Sequence, residues 1–250
     1  MRPANVQRRP RVRRCPGGPA SRHPLKICVF GATGGCGRAT VDAARSRCHE
    51  VRAVVRRQTE PPSEWPSSVE VVRADPYSAE ALDEAIAGVG AVISCIGIRR
   101  RNPLNPWSPL ASPRDTAQRC TSNILTSMQR TGVSRLACIS AAGVGDSRST
   151  LWPPLGMVIA LSNIGVAYRD LCEMERVLQQ SSAEWLAVRP TTLTSSRAPH
   201  RLATTSSYRY LSRVPRRTVA EGLVDFCEAN GRAGGGCWMV TGRRDRDSSR

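Results

Sequence analysis

The chain has 250 residues, 40% of them hydrophobic, enough to bury the core of one α/β domain. Its formal net charge of +17 suggests a nucleic-acid binder, yet seven arginines and no acid fall within residues 1–24, and only 4% of the chain is aromatic. With no base-stacking platform and the rest of the charge scattered, a solvated basic surface fits better than a nucleic-acid interface.

In chain order, residues 1–24 form an Arg-rich, acid-poor extension with five prolines. Arg-rich, acid-poor segments resemble organelle transit peptides, but the prolines oppose the amphipathic helix such peptides need, so a disordered extension is the expectation. Strands are predicted over 26–30, 51–55, 69–73, 91–96, 135–140, 185–189 and 237–241. Helices are predicted over 35–47, 79–88, 114–131, 167–181 and 217–229. Runs such as "AVISCI" at 91–96 lack clean alternation, as strands buried on both faces do. Strand–helix–strand repetition predicts a doubly wound parallel α/β sheet with helices on both faces, one domain over 25–242, and a disordered tail over 243–250. Two segments break the rhythm. Residues 97–113 hold four prolines, and 143–166 form a long connection. Both leave the carboxyl ends of strands, where open α/β sheets bind ligands and where long loops act as lids.

"KICVFGATGGCGRATVDAA", residues 26–44, carries the strongest motif. Gly31 follows the first strand, where the chain must turn sharply. Gly34 lets backbone approach a pyrophosphate, and Gly37 lets the helix pack closely on the sheet. The free N–H groups of the helix N-terminus then face the phosphates. No G-K-[ST] follows, so this is not a nucleoside-triphosphate loop. The second strand ends in Arg56 and Arg57, where an acid would meet a free ribose 2′-OH. Guanidinium groups suit a 2′-phosphate, and Arg38 can add to the same pocket, which favours NADPH over NADH. The alternative is that these arginines only solvate a strand end.

Ten cysteines form no C-x-x-C pair and the three histidines lie far apart, so neither a disulfide framework nor a metal site is expected. A reducing compartment follows: the cytoplasm, or an organelle if residues 1–24 act as a transit peptide. The longest apolar stretch, 151–168, is interrupted by Pro153 and Pro154 and is not read as a membrane span.

"GATGGCGR", "VVRR", "RAD" at 73–75, "ISCIG" at 93–97, "SAAGVGDSR" at 140–148 and "LAVRPTTL" at 186–193 stand in the order found in atypical short-chain dehydrogenase/reductase proteins. Across residues 25–242 the chain resembles the NAD(P)H-binding group that includes flavin reductase/biliverdin-IXβ reductase and NmrA-like proteins. The resemblance implies a Rossmann-like fold. It implies that Gly31, Thr33, Gly34, Cys36 and Gly37 wrap the pyrophosphate and that Arg56 holds the 2′-phosphate. It places Asp75 on the adenine amino group, Ile96 and Gly97 along the nicotinamide ribose, Ser140 as the catalytic hydroxyl near the nicotinamide, and Pro190 with Thr191 on its far side. From the residues alone, Asp75 could equally cap the turn at Pro76, Ser140 could bond backbone and Ile96 could be plain core.

Departures from the pattern narrow the chemistry. The tyrosines at 77, 168, 208 and 210 have no lysine four residues on, and Lys26 is the chain's only lysine. A tyrosine–lysine proton relay cannot be built. Thr192 stands where biliverdin reductases often carry histidine, which argues against biliverdin. Two expectations remain. One is an NADP(H)-dependent reductase of a planar acceptor such as a flavin or quinone, in which ring contact matters more than a protein acid. The other is a non-catalytic NADP(H)-binding sensor or scaffold of the NmrA-like type.

Overall fold

A computed structural model describes residues 24–196, 200–206, 208, 212–229 and 236–244. Of the expected extension over 1–24, residues 1–23 lie outside the described residues, as do residues 245–250 of the tail.

The first strand, β1 (Lys26–Phe30), shows why the apolar runs become buried strands. Ile27 and Val29 join one core cluster while Cys28 and Phe30 join another, so both faces of the strand are covered. The chain continues through α1 (Gly35–Ser46), β2 (Glu50–Val55), β3 (Val69–Arg73), a short α2 (Asp83–Ile86) and β4 (Ala91–Ser94). It goes on through α3 (Thr116–Thr131), β5 (Arg135–Ile139), α4 (Pro153–Ala160), α5 (Asn163–Gln179) and β6 (Glu184–Pro190). The last elements are β7 (Thr192–Thr194), β8 (His200–Thr204), β9 (Arg213–Pro215), α6 (Arg216–Glu228) and β10 (Gly236–Arg244). The main sheet has the order β3-β2-β1-β4-β5-β6-β10-β8, and β7 pairs with β9 separately. Helices α1 and α6 cover one face through Val41, Ala44, Val219 and Leu223. The other face is covered by α2, α3 and α5 through Ile86, Ile124, Met128 and Leu178.

The doubly wound sheet is therefore present, with four differences. The edge strand β8 runs antiparallel to β10. The predicted helix at 79–88 is only a 3-10 turn (Glu80–Leu82) and the four residues of α2, because Gly88 at φ +72° turns the chain out of the helix. The long connection over 143–166 holds a 3-10 turn (Gly145–Thr150), all of α4 and the start of α5. Pro153 and Pro154 do not break α4. They sit in its first turn, where a missing N–H costs nothing. The Ser162 side chain starts α5 four residues early by accepting from Ile164 N. Finally, β10 extends to Arg244 by pairing with β8, so 243–244 belong to the sheet and not to the tail.

Strand order places the site. β1 lies between β2 and β4, and the chain leaves the sheet in opposite directions after those neighbours. The crevice at such a reversal opens at the carboxyl ends of β1 and β4, where Gly31 and residues 95–97 stand.

Candidate functional site

The glycine turn after β1 is built as its spacing predicts. Gly31 has φ +67°, and a Cβ there would stand 2.8 Å from the Cys95 carbonyl oxygen. Only glycine allows the turn and the close approach to residues 95–96. A Cβ on Gly37 would lie 2.1 Å from the Gly31 oxygen, so α1 packs directly on the turn. Gly34 differs. Its Cβ would meet only the Gly31 oxygen, at 3.3 Å, and otherwise face open space. Gly34 is also the N-cap of α1, with no side-chain cap and no acid in the first turn. The free N–H groups of α1 thus open onto a cradle that a side chain at position 34 would fill, and that cradle suits a pyrophosphate.

One cation that the motif alone did not reveal stands against the first residue of α1, next to this cradle. Arg216, the first residue of α6, would have its Nε 3.0 Å from a Cβ on Gly35, and its Nη1 donates to Ser195 Oγ at 3.0 Å. Burial raises the Cys36 thiol pKa, and the nearby Arg216 guanidinium partly offsets the rise. The Arg213–Arg217 cluster was visible in the sequence, but the contact joins residues some 180 positions apart and had no local signal. Thr33 supplies the carbonyl that accepts from Arg38 Nε, while Arg38 Nη1 pairs with Glu64 at 3.1 Å. Arg38 is thereby tied back over the loop. Arg56 and Arg57 are exposed at the end of β2. Arg73 Nη1 donates to the Arg57 carbonyl, which braces this strand end.

Asp75 is exposed after β3, and its Oδ1 accepts from Tyr77 N at 3.0 Å. The turn-capping role is real. Tyr77 is close enough to Arg56 for the guanidinium to act on its phenol, whose pKa burial raises. Arg56, Asp75 and Tyr77 therefore share the β2–β3 end of the crevice. At the β4 end, Ile96 is partly buried against the core, and a Cβ on Gly97 would meet nothing within 4 Å.

The ends of β5 and β6 bring the remaining residues together. Ala142 N donates to the Pro190 carbonyl at 3.0 Å, and the Tyr168 hydroxyl donates to the Ala142 carbonyl at 3.1 Å. Thr191 is buried, and its hydroxyl oxygen has no hydrogen-bond partner among the described residues. Burial raises the Tyr168 pKa well above its ordinary value, with the Tyr208 phenol adding to the rise. A cavity of about 400 Å³ opens between the turn after β5, α4 and α5, walled by Val144, Leu151, Ile159 and Tyr168, with Arg148 and Arg169 at its edge.

Ser140 is not where a hydroxyl meeting the nicotinamide was expected. Its side chain is 5% exposed and donates to Glu175 Oε1 at 2.6 Å. Arg189 binds both oxygens of the same carboxylate, at 2.8 and 2.7 Å, and pairs with Asp146. A buried carboxylate from α5 and a buried guanidinium from β6 need neutralising partners, and the hydroxyl completes that network. Sequence patterning missed Glu175 and Arg189 because each looks like an ordinary charged residue of a helix or strand.

No group of His, Cys, Asp and Glu among the described residues could hold a metal ion. No single described helix is long and apolar enough to cross a membrane.

The comparisons agree with the geometry. The structure is similar to a wide-type short-chain dehydrogenase/reductase of Veillonella parvula solved with NADP, with a TM-score of 0.67, 16% identity, and 90% of this chain and 99% of that chain covered. It is similar to the anaerobilin reductase ChuY of Escherichia coli O157:H7, with a TM-score of 0.66, 19% identity, and 90% and 100% covered. In sequence, an uncharacterised protein of Mycobacterium tuberculosis is 31% identical over 118 residues, which are 47% of this chain. This chain spans only 12% of the length of the curated mycobacterial relatives it matches. The model of a family described as NAD(P)H-binding matches residues 31–230, from the first glycine of the turn to the end of α6 and just beyond. By that match, over most of its length and across the whole crevice, the chain belongs to the NAD(P)H-binding family.

Proposed function

We propose that the chain is an NADPH-dependent reductase of a planar acceptor, a flavin or a quinone, that works by direct hydride transfer without a tyrosine–lysine relay. One observation carries most of the weight: the N-terminus of α1 is open and uncapped, with Arg216 against its first residue, while the neighbouring strand β2 ends in exposed Arg56 and Arg57. The domain that does this work is taken as residues 25–242.

The residues divide the binding work. Gly31, Thr33, Gly34, Cys36 and Gly37 shape the cradle, and the α1 N–H groups with Arg216 hold the pyrophosphate. Arg56 and Arg57 hold the 2′-phosphate, since Arg38 is engaged with Thr33 and Glu64. Asp75 keeps the β3 turn in place against the adenine. Ile96 and Gly97 leave a smooth wall for the ribose. Pro190 and Thr191, both buried, with the Thr191 hydroxyl unpartnered among the described residues, back the nicotinamide end from beneath. When bound, the reduced nicotinamide supplies a hydride. Ser140 acts as a positioning residue, holding the β5 end through Glu175. The acceptor occupies the cavity beside Tyr168, and solvent supplies its proton.

The non-catalytic sensor keeps support from one observation: the hydroxyls of Ser140 and Tyr168 are both committed to protein acceptors. NADPH oxidation against a panel of flavins and quinones separates the two. Turnover with at least one planar acceptor is expected. NADPH binding with no turnover across the panel would contradict the reductase and favour the sensor.

A further inference from the structure

The segments 97–114 and 147–169 carry six arginines between them and no acid. The fold joins them into one surface. Trp107 Nε1 donates to the Leu161 carbonyl at 3.1 Å, and Asn163 N donates to the Pro106 carbonyl at 3.1 Å. The Asn163 side-chain amide also donates to the carbonyls of Trp107 and Ser108. The loop after β4 is thus fastened to the junction of α4 and α5.

That surface is apolar where it meets solvent. Leu104, Trp107, Trp152, Met157 and Leu161 are each between 48% and 91% exposed. Of the eight residues of α4, only Ile159 is buried. Isolated exposed apolar residues are common, but a joined group of two tryptophans, two leucines and a methionine is not. Three acids border it: Asp115 is exposed beside Arg114, and the other two are engaged. Asp170 is buried and accepts from the first N–H groups of α3, and Asp146 pairs with Arg189.

We propose that this surface docks the chain on an anionic lipid bilayer. Its apolar side chains enter the interface, and Arg99, Arg101, Arg148 and Arg169 meet the headgroups. Tryptophan favours that boundary because its ring is apolar and its N–H polar. A rim with six arginines, bordered by the exposed acids Asp115 and Asp146, is net cationic and matches an anionic plane. At eight residues α4 is about 12 Å long, too short to span a bilayer, and a 92° bend separates it from α5. It therefore lies in the interface. The docked loop follows β4, which ends at Ser94, by way of Gly97 at the crevice, so docking brings the crevice near the membrane, where lipophilic acceptors are held. The docking stands apart from the reductase reading and does not depend on turnover.

The test is sedimentation of the full chain with vesicles of phosphatidylcholine alone or mixed with phosphatidylglycerol. A Met157→Glu/Leu161→Glu variant is run beside it, with a melting curve and an NADPH titration to show that fold and cofactor site survive. The expectation is binding to the mixed vesicles that weakens with salt, and a loss of about tenfold or more in partitioning for the double variant. Quenching of tryptophan fluorescence by brominated lipid should fall when Trp107 is replaced by phenylalanine. Absence of binding to the mixed vesicles would overturn the proposal. So would binding that the double variant leaves unchanged, which would assign it to the basic residues 1–24. Patch-dependent self-association without vesicle binding would overturn it too, making the face a contact between copies.

Discussion

Ser140 Oγ donates to Glu175 Oε1 across 2.6 Å, and Arg189 clamps the same carboxylate through two further bonds. Ser140→Ala removes one hydrogen bond to a buried charge and should cost about 1.5–3 kcal/mol. Glu175→Ala leaves the buried Arg189 guanidinium with only the exposed Asp146 as partner and should cost about 3–5 kcal/mol. Melting temperatures should fall in that order, and NADPH affinity of the folded variants should change little. A large loss of affinity in Ser140→Ala with an unchanged melting temperature would mean that the hydroxyl meets the cofactor.

Arg216 and Arg56 should separate by cofactor. Arg216→Ala removes a charge next to the pyrophosphate cradle, which NADPH and NADH share, and should weaken both by about tenfold or more. Arg56→Ala should weaken NADPH by a similar factor and leave NADH nearly unchanged. Equal losses for both cofactors in Arg56→Ala would make that arginine structural. Titrations of both variants with both cofactors decide it.

Tyr168→Phe should keep most of any reductase activity. Its hydroxyl donates to the Ala142 carbonyl, burial raises its pKa, and Cys172 stands where an activating lysine would be. A phenol with an ordinary pKa near 10 is already a poor acid at neutral pH, and this one is poorer. The kcat with saturating NADPH is the readout, and a collapse would mean that the phenol takes part in proton transfer.

Alkali should destabilise the fold. Burial pushes the thiols of Cys28, Cys138 and Cys227 up to about 12. In the unfolded chain each titrates near pH 8.5. The folded state therefore holds its thiol protons more tightly, and the stability they contribute is complete below about pH 8.5 and declines from there toward pH 12. Melting temperature measured across that range should fall, and replacing Cys138 with alanine should flatten the fall. A flat profile for the parent chain would contradict the burial of these thiols.

Much of the fold was legible because period and burial coincide. The seven strands read from apolar runs all exist; most are buried on one or both faces and had to be apolar, while the edge strand β3, largely exposed beyond Val69, was marked by its three valines. The short strands β7, β8 and β9 carry exposed or partly exposed residues such as Thr192, Arg201 and Arg213, so no such signal marked them. Helix α4 was missed for the opposite reason. Its sequence is apolar all round without a deep burial face, and its prolines looked like breakers. In the site, Gly31 and Gly37 were legible because a positive φ and a 2.1 Å approach leave no other residue possible. Arg216 and the Ser140–Glu175–Arg189 network were not, because long-range tertiary contact alone gives those ordinary charged residues their roles.

The most direct test of the central claim is a fluorescence titration of NADPH into the parent chain and a Gly34→Val variant. Position 34 has φ −74° and ψ 165°, which valine adopts freely, and its Cβ meets only one carbonyl oxygen at 3.3 Å. The variant should therefore fold and melt near the parent temperature while its side chain fills the pyrophosphate cradle. Saturable NADPH binding by the parent and none by the folded variant is the expected result. Tight NADPH binding by a folded Gly34→Val chain would contradict it.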